Sequence, residues 1–353
     1  MRRTRVSLIC LTAVLAAIGL FAPSGLAVEL ASENFESYNV GAELHALDGG
    51  SGWLGPWSVV EAQRPEYTIS DTNLLYINGE VFLDGGNRAA QFLTAGVSGA
   101  PVVADRPIDF HDDTYYMSML FQSTSATGTN DDFFQFGLNT DNQNPRTTWA
   151  VRPDGSGAFD FFPRSGTADQ IFTGVGAVPG KTHFLVLRAS KSGANADNYD
   201  TVELWVDLDT QTPGAPDGLS AVDSGIADVQ SLVHRVAFLE NGDNFTIDEI
   251  KIGTSFADVI PQGVAPKLGD FNFDGSIDML DFASLRDNFQ SAAGYRDGDI
   301  TQNGFIDGHD FVAFKAAFLS ENPAAIGVPE PGTASLIVLG GLIAAVRRRR
   351  RHA

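Results

Sequence analysis

The same pattern occurs twice near the C-terminal end of the chain. It reads GDFNFDGSIDMLDFASLRDNF over residues 269–289 and GDITQNGFIDGHDFVAFKAAF over residues 298–318. Each copy begins with oxygen-bearing side chains at alternate positions around a central glycine and then continues into apolar residues at helical spacing. The apolar positions are Phe282, Leu285 and Phe289 in the first copy and Phe311, Phe314 and Phe318 in the second. This i, i+3, i+7 spacing predicts one helix after each loop, with three large side chains on one face.

Both loops match the spacing of a twelve-residue calcium loop. Calcium takes six to eight oxygen ligands, which such a loop supplies from positions 1, 3, 5, 7, 9 and 12, with glycine at position 6 for the sharp turn. The predicted ligands of the first loop are Asp270, Asn272, Asp274, the carbonyl of Ser276, Asp278 through a water, and Asp281. Those of the second loop are Asp299, Thr301, Asn303, the carbonyl of Phe305, Asp307 and Asp310. The sequence therefore predicts two Ca²⁺ sites.

No helix is expected before either loop, because PQGVAPKLG, with two prolines, precedes the first and SAAGYRDG, with two glycines, precedes the second.

Two loop-and-helix repeats with Asp at position 12 resemble a type I dockerin, over residues 269–320. The resemblance implies a small all-α domain, folding that depends on calcium, and docking to a cohesin-like module of another surface protein. The chain departs from the family at positions 10 and 11, where Ser-Thr is common. Here these positions hold Met279-Leu280 and Gly308-His309.

The first 27 residues have the features of a secretory signal peptide. MRRTR is followed by an apolar run over residues 6–22 and by PSGLA, which predicts cleavage after Ala27. An uncleaved membrane anchor is the alternative. Cys10, the chain's single cysteine, lies inside the apolar run. The exported part would then have no disulfide, so its stability must come from core burial and metal binding.

The last 25 residues form a second targeting element. An apolar stretch over residues 333–346 would span about 21 Å as a helix, short of the roughly 30 Å core of a bilayer. The tail resembles the PEP-CTERM sorting signal. It has, in the same order, a Pro-Glu-Pro motif, a short apolar segment and an arginine cluster. The residues that carry the resemblance are Pro329, Glu330, Pro331, Arg347, Arg348, Arg349, Arg350 and Arg351. It implies recognition by an exosortase, removal of the tail and delivery to the cell surface or an exopolysaccharide matrix. An ordinary C-terminal anchor is the alternative.

Charge excludes one class of function. The formal net charge is −21, with 44 acidic against 23 basic residues, and the terminal arginine clusters contribute eight of those basic residues. So acidic a surface repels nucleic acid and anionic membranes and attracts divalent cations. A nucleic-acid-binding role is therefore not expected.

The pattern of residues 28–260 predicts one all-β domain, with linkers expected at 261–268 and 321–328. Short stretches rich in Phe, Val, Tyr and Thr alternate with Gly, Asp, Asn and Pro clusters. The predicted strands are 67–69, 89–93, 115–121, 133–138, 148–152, 159–162, 183–189, 202–207, 235–240 and 245–252. Their number and spacing predict a two-sheet sandwich. ENFESYNVGAEL, GGSGWLGPW, VELWVDLD and FTIDEIKIGTSFADV resemble a concanavalin A-like, laminin-G-type jelly roll of secreted bacterial proteins.

Sugar binding is one function that this domain is expected to carry. In TVELWVDLD, alternation places Val202, Leu204, Val206 and Leu208 on one face and Glu203, Trp205 and Asp207 on the other. Aromatic rings cover the apolar faces of sugars, so the predicted glycan-binding residues are Trp53, Trp57, Trp205, Glu203 and Asp207. Trp149 is a further candidate. Burial of these rings in the core is the alternative.

Glycoside hydrolysis or lyase activity is the second hypothesis. A hydrolase needs two carboxyl groups about 5–9.5 Å apart, whereas four residues of strand separate Glu203 from Asp207 by roughly 13 Å. Asp248 and Glu249 are predicted to lie on the solvated face of an edge strand, not in a catalytic site. We therefore expect a secreted, non-catalytic, calcium-binding protein, with a purely structural or adhesive spacer as the third hypothesis.

Overall fold

The computed structural model describes residues 29–93, 102–125, 128, 133–139, 147–166, 169–192, 197–227, 229–237, 244–262, 265–292 and 294–323. The predicted signal peptide (1–27) and sorting segment (329–353) lie outside these residues. Among the helices that are described, none is both long enough and apolar enough to cross a membrane.

Most of the described chain is β-structure, in strands that pair antiparallel. The strands are β1 (Glu29–Glu33), β2 (Ser58–Val59), β3 (Tyr67–Ser70), β4 (Leu75–Asn78), β5 (Val81–Asp84), β6 (Ala89–Leu93), β7 (Val102–Phe110), β8 (Thr114–Ser123), β9 (Phe133–Asn139), β10 (Thr147–Pro153), β11 (Phe159–Ser165), β12 (Thr182–Ser190), β13 (Tyr199–Val206), β14 (Gly218–Ile226), β15 (Val229–Ala237) and β16 (Asn244–Gly253).

Two sheets face each other across one apolar core. The eight-stranded sheet has the order β14-β13-β12-β8-β16-β6-β3, with β1 also paired to β16, and the six-stranded sheet has the order β11-β10-β9-β15-β7-β2. The core is rich in aromatic rings from both sheets. Phe121 of the eight-stranded sheet, for example, lies 5.1 Å from Phe134 and 5.2 Å from Trp149 of the six-stranded sheet, between ring centroids. The prediction of a mainly β, two-sheet sandwich is confirmed.

A separate two-stranded hairpin, β4 and β5, covers the outer face of the eight-stranded sheet. Its turn has Gly79 in the left-handed region (φ +56°), where glycine is favoured. With helix α1 (Phe256–Val259) it closes a second apolar cluster against the sheet. The cluster contains Leu74, Tyr76, Val81, Leu83, Leu120, Phe184, Val186, Trp205, Leu208, Val259 and Ile260.

The duplicated region folds as two loops, each followed by a helix, and we call it the loop–helix unit. Helix α2 spans Met279–Asp287 and helix α3 spans Gly308–Glu321. Both predicted helices are present, but Phe289 is not on the face predicted for it, and the three apolar side chains of each copy are not all buried. Phe289 lies beyond the end of α2 and is 44% exposed, and Phe311 is 42% exposed. Leu285 and Phe314 are buried.

Candidate functional site: the duplicated loops

The first loop is closed by its own two end carboxylates. Asp270, at position 1, accepts hydrogen bonds from the backbone N–H groups of Asp274 (3.2 Å) and Gly275 (2.8 Å). Asp281, at position 12, accepts from the N–H groups of Phe271 (2.7 Å) and Asp278 (2.8 Å). Asp270 and Asp281 are fully buried, at 0% exposure. The loop therefore holds two buried carboxylates at its centre.

The second loop repeats this arrangement. Asp299 accepts from the N–H groups of Asn303 (3.1 Å) and Gly304 (2.7 Å), and Asp310 accepts from those of Thr301 (3.0 Å) and Asp307 (2.8 Å). The position-6 glycines have φ values of +89° and +82°, which only glycine adopts readily. The position-3 bond from Thr301 has its equivalent in the first loop, where the N–H of Asn272 donates to Asp281 at 3.3 Å. The two copies thus share the backbone conformation and most of the hydrogen-bond pattern.

Two Asp side chains of each loop start its exit helix. Asp278 and Asp307, at position 9, are the N-caps of α2 and α3, and each accepts a hydrogen bond from an N–H group in the first turn. The position-12 carboxylates complete a capping box by accepting from the N–H of the N-cap residue. The position-12 carboxylates, Asp281 and Asp310, therefore take part in both loop closure and helix initiation.

The donor chemistry of the loops fits calcium. Each loop offers carboxylate, amide or hydroxyl, and carbonyl oxygens at the predicted positions, with no sulfur, and calcium prefers oxygen donors. In each loop the two buried end carboxylates repel each other, and neither forms an ion pair with a basic side chain among the described residues. A bound cation would offset that repulsion. The described Asp, Glu, His and Cys side chains do not by themselves form a cluster of three that could hold a metal. The Asn, Thr and carbonyl oxygens are thus needed as well.

Burial raises the pKa of Asp270 and of Asp299, although backbone N–H groups donated by Gly275 and Gly304 act in the opposite direction. The neighbouring position-12 carboxylate adds to the rise in each loop. A carboxyl with a raised pKa is one whose charged form lacks a compensating partner.

Most of the predicted glycan-binding residues do not form an open site. Trp57 and Trp149 are buried in the sandwich core, at 1% exposure each. Trp205 faces away from that core, as alternation predicts, but it is only 4% exposed because the ring of Phe256 packs on it at 4.8 Å between centroids. Trp53 is partly buried, and its indole N–H donates to the carbonyl of Ser32. Trp57 and Trp205 are therefore covered and present no open ring face to a sugar, so burial, the alternative, holds for Trp57.

The two carboxylates of β13 are held in ion pairs. Glu203 pairs with Arg188, and Asp207 accepts from Lys181 Nζ (2.6 Å) and lies 3.0 Å from His183 Nδ1. Asp207 has left-handed backbone (φ +58°), which ends the strand alternation. For that reason Leu208 joins the outer apolar cluster and not the core face predicted for it. Burial acts to raise the pKa of Asp207, but His183 and Lys181 outweigh it and the pKa is lowered.

The ion pairs of Asp207 predict an acid-sensitive stability. A carboxylate with a lowered pKa stabilises the fold above its unfolded pKa of about 3.9, and this contribution is lost as the pH falls through the folded value. Asn tolerates left-handed backbone, so Asp207→Asn removes the charge and one acceptor oxygen without straining the main chain. We expect a loss of about 1–3 kcal/mol in unfolding free energy at pH 7, which shrinks below about pH 4. Urea unfolding at several pH values measures it, with the exposed Asp209→Asn as the matched control. Equal losses at pH 3 and pH 7 would contradict the assignment.

Asp248 and Glu249 occupy a different position from the one predicted. Their strand, β16, is central in the eight-stranded sheet and carries a bulge between Asp248 and Lys251, so the edge-strand prediction is wrong. Burial and the neighbouring Glu249 raise the pKa of Asp248 well above its ordinary value, and burial also raises the pKa of Glu249. Asp248 is 0% exposed. It is thus closed to a substrate despite its raised pKa.

A polar cleft of about 550 Å³ lies between the sandwich and the loop–helix unit. The sandwich lines it with carboxamide side chains, and so does the second loop. The carboxamide residues are Asn73, Asn87, Gln122 and Gln302. Thr182, Arg296 and Asp297 also line the cleft. Sequence reasoning missed this cleft, because its walls come from distant segments that are neither a motif nor a repeat.

A buried ion pair near the N-terminal end also escaped prediction. Arg106 of β7 is 0% exposed, and its Nη1 lies 2.5 Å from Glu33 Oε2. Its other donors reach the carbonyls of Gly49 (2.6 Å) and Gly55 (3.1 Å), and its guanidinium lies 4.7 Å from the centroid of the Trp53 ring. The signal was available in part, since ENFESY and GGSGW supply Glu33, Gly49 and Trp53. Arg106 itself lies in a stretch that resembled no strand.

Comparison with known proteins gives fold-level similarity alone. A scan of protein-family models finds no match, and a comparison with curated proteins finds none either. Among solved structures, an endo-β-1,4-glucuronan lyase from the fungus Trichoderma reesei is 16% identical with a TM-score of 0.34, covering 60% of this chain and 95% of that one.

Two further solved structures are similar in the same way. Domain 4 of an extracellular arabinanase from Geobacillus stearothermophilus, in complex with arabinotriose, is 16% identical with a TM-score of 0.37, covering 66% of this chain and 97% of that one. Lectin I of Ulex europaeus, in complex with a fucose glycoside, is 9% identical with a TM-score of 0.33, covering 53% and 94%. At these scores the similarity carries no argument about ligand or activity.

Proposed function

We propose that the chain is an exported, non-catalytic, calcium-binding protein of the cell surface or extracellular matrix, in which the loop–helix unit binds two Ca²⁺ ions. The observation that carries the proposal is the repeat of one arrangement in both loops. Each pairs two buried carboxylates, closes them by equivalent backbone hydrogen bonds from positions 3 and 6 and adds oxygen donors at the same positions. Calcium would supply the positive charge that these carboxylates lack.

Export is proposed from the sequence. The signal-like N-terminus and the tail that resembles a PEP-CTERM signal support passage across the cytoplasmic membrane and processing by an exosortase. The acidity of the chain attracts divalent cations. Calcium sites of extracellular modules have dissociation constants of about 10⁻⁴–10⁻³ M, so even weak sites in this chain would be filled outside the cell.

A calcium titration of the full chain tests the proposal. We expect isothermal calorimetry to give two sites per chain, and the melting temperature to rise with CaCl₂ and to fall again with EGTA, because an ion that binds the folded state alone stabilises it. MgCl₂ at the same concentration is the control, since magnesium demands a smaller octahedral shell. A melting temperature that CaCl₂ leaves unchanged would refute calcium binding.

Carbohydrate binding is a second candidate function, and the polar cleft supports it. Its volume is within the range of ligand pockets, about 300–1,000 Å³. The side-chain amides of Asn73 and Asn87 make no hydrogen bond within the described part of the chain, and Gln122 uses its N–H to bond the carbonyl of Gly180. Carboxamides both donate and accept, which suits vicinal hydroxyl groups. Because Arg296, the basic side chain in the lining, is already paired with Asp84, a neutral glycan is favoured over a uronic one.

Oligosaccharide titrations test the cleft. We expect xylohexaose, cellohexaose or arabinohexaose to bind the full chain and galacturonic acid hexamer to bind more weakly. Asn73→Ala with Gln122→Ala should then weaken binding about ten-fold or more, since each hydrogen bond to the sugar is worth about 1 kcal/mol. Asn39→Ala, an exposed amide elsewhere on the sandwich, is the matched control. Failure of all three neutral sugars to bind would remove this function.

The geometry gives little support to the alternative of a hydrolase or lyase at β13. Glu203 and Asp207 are both engaged by basic side chains, and the pKa of Asp207 is lowered, whereas a general acid needs a raised one.

A partner protein for the loop–helix unit remains part of the proposal. Met279 and Leu280 of α2 are each 64% exposed, and Val312 of α3 is 66% exposed. These apolar side chains are the ones that a cohesin-like or other surface protein would contact.

A further inference from the structure

The β4–β5 hairpin has two apolar faces. Its cross-strand register pairs Leu75 with Asp84, Tyr76 with Leu83, Ile77 with Phe82 and Asn78 with Val81, and opposed residues share a face. One face packs on the eight-stranded sheet through Tyr76, Val81 and Leu83. The hairpin makes no strand pair with that sheet in the described part of the chain. A two-stranded hairpin is marginally stable alone, so packing must hold it in place.

The other face of the hairpin contacts the loop–helix unit. Leu75 and Ile77 are buried in one apolar cluster with Phe271, Tyr295, Ile300 and Phe314. Phe82 meets the ring of Phe273 edge-on at 5.3 Å between centroids. Asp84 forms an ion pair with Arg296. All four residues of this face therefore have a partner in the unit.

The contacts from the unit come from equivalent positions of its two loops. Phe273 is residue 4 of the first loop and packs on Phe82, and Gln302 is residue 4 of the second loop and donates from Nε2 to the carbonyl of Ile77 at 2.8 Å. Both have left-handed backbone, with φ of +59° and +54°. Arg296, just before the second loop, lies 4.4 Å over the ring of Phe273. The residues on either side of each position 4 are proposed metal ligands.

We propose that position 4 of each loop is a docking contact for the β4–β5 hairpin, and that calcium binding therefore couples the loop–helix unit to the sandwich. The inference rests on the proposed calcium binding. A cation held by positions 3 and 5 fixes the backbone of position 4 between them, which orders Phe273 and Gln302 for the hairpin. Coupling of this kind is reciprocal. Loss of the hairpin contact must therefore weaken calcium binding.

Hydrogen exchange and calcium affinity of the full chain test the coupling. With CaCl₂ in place of EGTA, we expect backbone amides of β4 and β5 to exchange about ten-fold more slowly, while those of β8 and β12 change little. Phe82→Ala should weaken calcium binding about five-fold or more. Phe172→Ala removes another partly buried ring, which packs on Phe162 of the six-stranded sheet, and should leave the affinity unchanged.

A second variant covers the case in which Phe82→Ala fails to fold. Gln302→Asn keeps a residue that tolerates left-handed backbone but shortens the side chain, so that its amide no longer reaches Ile77. It should reduce the calcium-dependent protection of the hairpin. Calcium binding with unchanged hairpin exchange and unchanged affinity in Phe82→Ala would overturn the coupling and leave the proposed function standing. Absence of any calcium binding would overturn both.

Discussion

Replacing Asp270 by Ala should abolish calcium binding at the first loop. Asp270 is a charged ligand at position 1, it is fully buried, and it closes the loop by accepting from the N–H groups of Asp274 and Gly275. Changes to residues that only support a ligand cost about 10–100-fold in metal affinity, so loss of a charged ligand should cost at least about 100-fold. Calorimetric titration of the full chain should then show one site in place of two.

Two matched variants separate ligand chemistry from general damage. Thr301→Ala removes a neutral ligand from the second loop, and it should weaken that site by less than about ten-fold, since calcium affinity depends on ligand charge. Ser276→Ala changes an exposed side chain at position 7, where the backbone carbonyl is the ligand, and it should bind like the original chain. If Asp270→Ala still binds two ions, or if Ser276→Ala loses one, the ligand assignment is wrong.

Local pattern predicted the strands because side-chain alternation and turn residues are local properties. Nine of the ten strands predicted from the sequence are present within a few residues of the observed ends. The tenth, 235–240, overlaps only the last three residues of β15, and 238–240 lie outside the described residues. β7 was missed because Arg106 and Pro107 interrupt its apolar alternation, and only the fold shows the buried carboxylate that Arg106 meets. The hairpin was missed although Asn78-Gly79 is a strong turn signal between two apolar runs.

The candidate sites were predictable to different degrees for a physical reason. A twelve-residue calcium loop contains all of its ligands in one contiguous segment, so the spacing of residues from Asp270 to Asp281 is enough to predict which oxygen atoms lie close together. Sites on a β-sandwich combine residues from strands that are distant in sequence. The alternation of side chains along one strand predicts which face of the sheet a residue is on, but not which residues cover that face. Trp205 illustrates the limit, since alternation placed it correctly away from the core while the cover from Phe256 could not be read from its own strand.

Replacing Arg106 by Met should lower the free energy of unfolding by about 3–5 kcal/mol, the cost of leaving a buried charge without its partner. Glu33 would remain fully buried with hydrogen bonds from the N–H of Phe35 (3.0 Å) and the hydroxyl of Tyr38 (2.8 Å) but with no cation. Urea unfolding of the full chain in saturating CaCl₂, followed by tryptophan fluorescence, measures the loss.

The matched control is Arg188→Met, which breaks the partly exposed pair with Glu203 and should cost no more than about 1 kcal/mol. Glu33→Gln in the Arg106→Met background should recover part of the loss, because it removes the uncompensated charge. Full recovery is not expected, since the carbonyls of Gly49 and Gly55 would still lack their donor. Gly49 and Gly55 lie in the loop between β1 and β2, which also contains Gly50 and Gly52. Gly50 and Gly52 have positive φ, and a Cβ on Gly50 or Gly52 would lie about 2 Å from a backbone oxygen of β1. Arg106 therefore links this tightly packed loop to Glu33 of β1. Equal losses of unfolding free energy in Arg106→Met and Arg188→Met would contradict that role.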